Sequence, residues 1–260
     1  KETLNIMQRL YEQHKVLTYP RTDSRYIGSD IVPTIKERLK ACNIGPYKKF
    51  IPSLLKAPIK TSKAFVDDAK VSDHHAIIPT EEFVQLEHMS NDERKIYDLV
   101  IRRFISILYP AFEYEQTTLK ASAAGQAFTA KGKIILSPGW KAIYDSSSAA
   151  DSSFLDAPEE DDASWQSCEQ PLPLLKKGEQ LSISQIALTT GKTKPPARFT
   201  EATLLTAMEN PVKYMESQDA KARKMLGETG GLGTVATRAD IIEKLFHSFL
   251  IEKKGNEILI

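Results

Sequence analysis

Residues Leu17 to Ile27 read LTYPRTDSRYI, and the arrangement of the chain follows from how this stretch is held. Proline at position 20 disfavours the helical region for Tyr19 and keeps it extended. In extended chain residues i and i+2 face the same way, so Tyr19 and Arg21 point into one site. Asp23 either joins them or caps the following turn. A free tyrosine hydroxyl ionises near pH 10, so only about 0.1% is phenolate at neutral pH. It becomes a usable nucleophile where cations or a base favour the charged form. A guanidinium can hold two phosphate oxygens through its planar fork. The pair suits phosphoryl transfer, in which a tyrosine exchanges one phosphoester for another and keeps its energy in the protein link. A buried tyrosine satisfied by Arg21 or Asp23 would look the same in so short a stretch.

Working outward, Thr3 is placed to cap a first helix with Leu4, Met7, Leu10 and Tyr11 at helical spacing. Ser29 is placed to cap a second helix with Ile31, Ile35, Leu39 and Cys42 on one face. The motif therefore lies on a connector between helices. Prolines from Pro46 to Pro58 indicate irregular chain. A long helix is predicted from a capping box at Ser90 and Glu93 up to Pro110, with Ile96, Val100, Phe104 and Leu108 in register.

The period then changes to two. Phe112 and Tyr114 alternate with Glu113 and Glu115, and a strand is predicted over Ala127–Ser137, bounded by Gly125 and Pro138-Gly139. A further alternating strand is predicted at Leu181 and Ile183. Ser146 to Trp165 is rich in Ser and Ala and carries six acids, which reads as an exposed insertion without chemistry. Beyond Lys192, Thr200 caps a predicted helix through Leu204, Leu205 and Met208. Thr234 or Thr237 starts another with Ile242, Leu245 and Phe249 inward, and Gly255-Asn256 turns a closing hairpin. Helices followed by a hairpin suggest a winged-helix-like module or a helix pair capped by a hairpin. The predicted fold class is mixed α and β, in three units: a helical, tyrosine-bearing unit over 1–109, a β-rich unit over 110–191 containing the acidic insertion 146–165, and a mainly helical unit over 192–260.

The 260 residues exceed one typical core and have the composition of a soluble globular protein, 41% hydrophobic and 27% charged. No apolar run of membrane-spanning length and no leader pattern is present, which favours the cytoplasm and no membrane partner. Cys42 and Cys168 form no metal or redox spacing and read as reduced structural thiols. The net charge of +1 conceals an asymmetry. Residues 1–65 hold 13 lysines and arginines against 5 acids, a surplus of +8; residues 66–191 hold 11 against 20, giving −9; residues 192–260 hold 11 against 9, giving +2. The basic region contains the opening motif, where a polyanion would release counterions on binding.

The segment LTYPRTDSRYI closely resembles the active-site segment of type IA DNA topoisomerases, particularly the topoisomerase III branch. Two further stretches match in the same order: SDHHAIIPT at 72–80, and PPARFTEATLLTAMEN at 195–210 with GLGTVATRADII at 231–242. Val235 stands where proline is common. The resemblance implies that Tyr19 becomes joined to a 5′ phosphate, that Arg21 contacts the cleaved strand, and that His74 lies beside them as a phosphate or proton-transfer partner. Thr22, Asp23, Ser24, Arg198, Thr200, Thr237 and Arg238 become candidate DNA contacts. It also implies an architecture of helical tyrosine domain, β-rich arch and helical base.

Adjacent His74 and His75 point apart and make a poor chelating pair, so no metal ligand is assigned. GLGTVA fits G-x-G-x-x-A, but a polar stretch precedes it where a dinucleotide site needs a strand, and no P-loop occurs, so no ATP is expected. The resemblance further implies an N-terminal Toprim domain that binds Mg2+. No such arrangement is found here, so the chain reads as a fragment that binds no cofactor itself and whose partners are single-stranded DNA and the missing Toprim domain of a monomeric parent. A non-catalytic single-stranded DNA-binding module is the alternative. A relaxase-type tyrosine enzyme would need a metal-binding histidine cluster, which is absent.

Overall fold

The computed structural model describes residues 1–71, 73–144, 172–173, 175–193, 195–215, 220–228 and 230–260. The predicted acidic insertion and Cys168 lie outside them. Four helices come first: α1 (Glu2–Glu12), α2 (Ile35–Ala41), α3 (Ile51–Lys56) and α4 (Asn91–Leu108). A long hairpin follows, β1 (Glu113–Ala123) with β2 (Gln126–Ser137), then α5 (Glu201–Glu209), α6 (Ala220–Glu228), α7 (Arg238–His247) and a short hairpin of β3 (Glu252–Lys254) with β4 (Glu257–Leu259).

One apolar core organises the first half. Leu10 of α1, Leu17 and Ile27 of the connector, Ile35 and Leu39 of α2, and Tyr97, Ile101 and Ile105 of α4 are all essentially inaccessible to solvent. At about 25 cal/mol per Å² of apolar surface removed from water, such side chains contribute on the order of 2 kcal/mol each. Helix α4 begins as the sequence predicts, with Ser90 and Glu93 exchanging both bonds of a capping box. Its buried face is Tyr97, Ile101, Phe104 and Ile105, with Ile96, Val100 and Leu108 at the margin of the core.

Glu93 does more than cap. Its side chain is only 8% exposed and also accepts from Arg9 Nε of α1 at 2.8 Å, with His14 Nε2 at 3.6 Å. Arg9 and His14 thus tie the end of α1 to the start of α4, and Arg9 and the Ser90 backbone amide hold the Glu93 carboxyl down from its ordinary 4.5 to about 2. Lys15 then adopts a left-handed φ of 57° and the Val16 amide bonds to the Leu10 carbonyl at 3.0 Å, which ends α1 and turns the chain into the extended stretch.

Several predicted starts move. Thr3 sits inside the first turn of α1, whose N-cap is Lys1 without a side-chain bond, and the buried positions are Ile6 and Leu10. Ser29 does not cap α2; its amide and hydroxyl both donate to Asp68, at 2.6 and 2.9 Å, and a 3-10 turn at Val32–Thr34 precedes the helix. The proline-rich stretch contains α3, because Pro52 falls in its first turn, where the missing amide costs nothing. Buried Cys42 accepts from the Tyr97 hydroxyl at 3.4 Å, and burial pushes its thiol up to about 11, the state of an inert structural thiol.

The hairpin β1–β2 is antiparallel and closes on Ala124 and Gly125, both with positive φ as a type I′ turn requires. At its base the Trp140 amide bonds to the Pro110 carbonyl at 3.0 Å, and Arg102 of α4 reaches the Ile143 carbonyl. The predicted strand at Leu181 and Ile183 does not form: both are exposed and no strand lies beside 175–193 among the described residues. Alternation alone cannot satisfy a strand's amides without a partner.

In the last part Thr200 caps α5, as predicted, and the cap is closed into a box by Thr203. Helix α7 follows a turn in which the Thr234 amide donates to Thr237 Oγ1 at 2.9 Å. Ile242 points inward, but Phe249 is 87% exposed, because the chain leaves the helix at Ser248 and Phe249 takes a φ of 55°. Helix α6 falls where the sequence reads only as polar. Among the described residues of this part, few apolar side chains are buried, chiefly Met208, Ile242 and Ile258.

Two predictions follow from these contacts. Glu93→Gln keeps the shape but removes the charge, and is expected to destabilise by about 2 kcal/mol at neutral pH. Because the folded carboxyl is depressed, that difference is fully present above about pH 4.5 and vanishes as the pH falls through about 2, which denaturant melts of both chains over this range would check. Arg38→Leu strips buried partners from the Pro79 carbonyl, which Arg38 Nη1 reaches at 2.7 Å, and from Glu81 at 2.8 Å. A loss of about 3 kcal/mol is expected in the same melts.

Candidate nucleic-acid interface

The extended stretch is held from outside. The Thr18 amide donates to the Ile78 carbonyl at 3.0 Å, the Thr80 amide to Val16 at 3.1 Å, and the Ala76 amide to Tyr26 at 2.8 Å. Thr18 Oγ1 accepts from the Ile78 amide at 3.0 Å, and Thr22 Oγ1 donates to the His74 carbonyl at 3.1 Å. Two stretches of sequence more than fifty residues apart are thereby laid side by side. Behind them Arg38, buried by α2, donates to the Pro79 carbonyl and to Thr34 Oγ1 and pairs with Glu81.

This pairing brings Tyr19 and His74 together, their rings 4.4 Å apart between centroids and tilted by 41°. Tyr11, from the last turn of α1, also packs edge-on against Tyr19, with ring centroids 5.5 Å apart. The Tyr19 ring is therefore fixed by two neighbours, an imidazole and a phenol, while remaining half-exposed.

Beside it opens a cleft of about 630 Å³. One wall is Arg21 to Arg25 with Asp73 and His74; the other is Glu209, Gly230, Gly233 to Ala236 and Arg238. Among the described residues, Arg21, Asp23 and Arg25 have no hydrogen-bond or ion-pair partner. Two free guanidiniums, each able to hold two oxygens of an anion through its planar fork, thus flank a free carboxylate on this wall. Ser24 is committed instead to the chain itself: its hydroxyl donates to the Lys70 carbonyl at 2.9 Å, and its amide to Thr22 Oγ1 at 3.1 Å.

The second wall is shaped by backbone. Gly231 has a φ of 90°, and a Cβ there would lie 2.2 Å from the Met208 carbonyl oxygen, so only glycine permits the loop to close on the end of α5. Arg238, with its side chain only 8% exposed, donates to the carbonyls of Leu232 at 3.1 Å and Gly230 at 2.7 Å and pairs with Glu209. Its fork is spent on holding this loop. Arg198 is 61% exposed and faces Glu257 at 3.9 Å; Thr200 is the cap of α5 and Thr237 bonds to Thr234, and none of the three lines the cleft.

Of the residues singled out from sequence, then, Tyr19, Arg21, Thr22, Asp23, Ser24, His74 and Arg238 are gathered in or beside one cleft, while Arg198, Thr200 and Thr237 lie outside it. Sequence reasoning passed over Tyr11, Arg25, Asp73 and Glu209. Arg25 was legible, since it continues the i, i+2 series of Tyr19, Arg21 and Asp23; Tyr11 and Glu209 depend on packing between distant elements. Among the described residues no group of three or more His, Cys, Asp or Glu side chains could hold a metal ion, and no helix is long and apolar enough to cross a membrane.

Comparison with known proteins gives this cleft a context. A family model described as DNA topoisomerase matches residues 1–260. DNA topoisomerase 3 of Bacillus cereus (strain ATCC 14579) is 58% identical over 260 residues, covering 100% of this chain and 34% of the relative. DNA topoisomerase 3 of Bacillus subtilis (strain 168) is 56% identical with the same coverage. Among solved structures, full-length topoisomerase I from Thermotoga maritima matches with a TM-score of 0.54 at 18% identity, over 98% of this chain and 35% of that one, a likeness of fold. The chain thus spans about a third of the length of the curated relatives it matches. Matched along its whole length, it belongs to the DNA topoisomerase family, in the type IA, topoisomerase III branch that its three motifs resemble.

Proposed function

We propose that this chain is the tyrosine-bearing portion of an ATP-independent type IA topoisomerase, which cuts one DNA strand through a 5′-phosphotyrosine, passes a second strand and reseals the first. The observation that carries the reading is Tyr19, in ring contact with Tyr11 and His74 beside a cleft whose near wall presents unpaired Arg21 and Arg25. A strand lying along that wall would place its phosphates on the guanidiniums, with the scissile phosphorus facing the phenol.

In the cleavage step the Tyr19 oxygen bonds to phosphorus and the bond from phosphorus to the 3′ oxygen breaks. The phenol gives up its proton and the departing 3′ oxygen gains one. Arg21 would stabilise charge on the non-bridging oxygens, and His74 would hold the phosphate or relay a proton. Because phenolate is itself a good leaving group, the free 3′ hydroxyl reverses the step without a nucleotide. A Mg2+ ion would supply further charge neutralisation. The described side chains offer no set to hold it, so in this reading its ligands come from a Toprim domain on the N-terminal side of the parent.

The test is covalent trapping on a labelled single-stranded oligonucleotide with magnesium, using this chain and a protein that joins it to a Toprim domain. An adduct is expected from the longer protein and not from the shorter one. Tyr19→Phe abolishes it, and Arg21→Ala lowers its yield about 100-fold. If the longer protein binds the strand but forms no Tyr19-dependent adduct, the chain is a non-catalytic strand-binding module and the proposal fails.

A further inference from the structure

The long hairpin carries a charge pattern that the acidic balance of its region hides. Register pairs Tyr114 with Ile135, Gln116 with Lys133, Thr118 with Lys131 and Lys120 with Thr129, so these side chains share one face. That face holds three lysines and no acid. The acids of the two strands, Glu113 and Glu115, fall on the opposite face with Leu119, Phe128 and Ile134.

The base of the lysine face is aromatic. Lys133 Nζ stands 4.2 Å from the centroid of the Tyr114 ring and 5.0 Å from that of Phe112, and Lys141 Nζ stands 4.4 Å from Phe112. The Phe112 and Tyr114 rings are 5.4 Å apart, and Tyr114 is 47% exposed. Among the described residues, Lys120, Lys133 and Lys141 pair with no carboxylate. Ammonium groups over rings are held by attraction to the ring face, which neutralises none of their charge. A row of cations beside exposed rings, with hydroxyls of Thr118 and Thr129 between, matches a phosphate backbone whose bases can stack. It offers less to a folded protein, because its only apolar groups, Phe112, Tyr114 and Ile135, sit at the base of the face under the lysines.

We propose that this face of the hairpin is a second binding site, for a single-stranded nucleic acid, using residues separate from the Tyr19 cleft. Lys120, Lys133 and Lys141 hold phosphates spaced along one strand, and Tyr114 with Phe112 supplies the stacking surface.

The experiment measures the salt dependence of binding of the 260-residue chain to a single-stranded oligothymidine, for the unaltered chain and for Lys120→Gln/Lys133→Gln/Lys141→Gln. Losing three phosphate contacts on a single strand should lower the slope of log K against log salt by about 2. The salt slope reads this site and the covalent adduct reads the proposed cleavage reaction, so the two can fail separately. Independently of any variant, oligothymidine should slow reductive methylation of Lys120 and Lys133 in the unaltered chain. An unchanged slope in a triple variant that melts like the parent overturns the proposal, and so does a methylation rate the strand does not alter, as when polypeptide occupies the face. Tighter binding of a duplex of equal length overturns the assignment to a single strand.

Discussion

An extended segment cannot satisfy its own amides and carbonyls, and that constraint governs the molecule. From Val16 to Ile27 the chain has no helix to close its hydrogen bonds, so its shape is set by the residues that accept and donate from Phe65 to Asp67 and from Ala76 to Thr80. The second of these segments is held in turn by Arg38 of α2, whose buried guanidinium donates to the Pro79 carbonyl and to Thr34 and pairs with Glu81. A side chain of α2 thus supports the segment against which the Tyr19 stretch is laid.

The same logic explains why the site is built of groups with different commitments. Arg38 and Arg238 are buried and spend their donors on backbone carbonyls, which makes them scaffolding. Arg21 and Arg25 have no protein partner among the described residues, which leaves their donors available to a ligand. Residue type alone does not separate the two classes; burial and acceptor geometry do.

Much of this was legible in the sequence where a local rule operates. The capping box at Ser90, the cap at Thr200, the turn at Gly125 and the extended stretch before Pro20 all depend on residues within a few positions of one another. What failed depended on distance. Ser29 reads as a cap but is claimed by Asp68, thirty-nine residues on, and Leu181 with Ile183 alternate like a strand with nothing to pair with. The site shows the same division: Tyr19 with Arg21 follows from spacing, His74 from resemblance, whereas the ring of Tyr11 and the closure by Gly231 come from packing.

The two walls of the cleft also differ in what stands behind them. The wall of Arg21 to Arg25 is stapled to a core in which Leu10, Leu17, Ile35 and Leu39 are at most 1% exposed. The loop of Gly230 to Ala236 rests on α5 and α7, whose buried apolar side chains are few, and Lys1 on α1 meets α7 only through exposed ion pairs to Asp240 and Glu243. One wall of the cleft is thus backed by a closed apolar core and the other by few buried side chains and exposed ion pairs. Displacing the second wall alone would leave Tyr19 where Tyr11, His74 and the hydrogen bonds of 76–80 hold it.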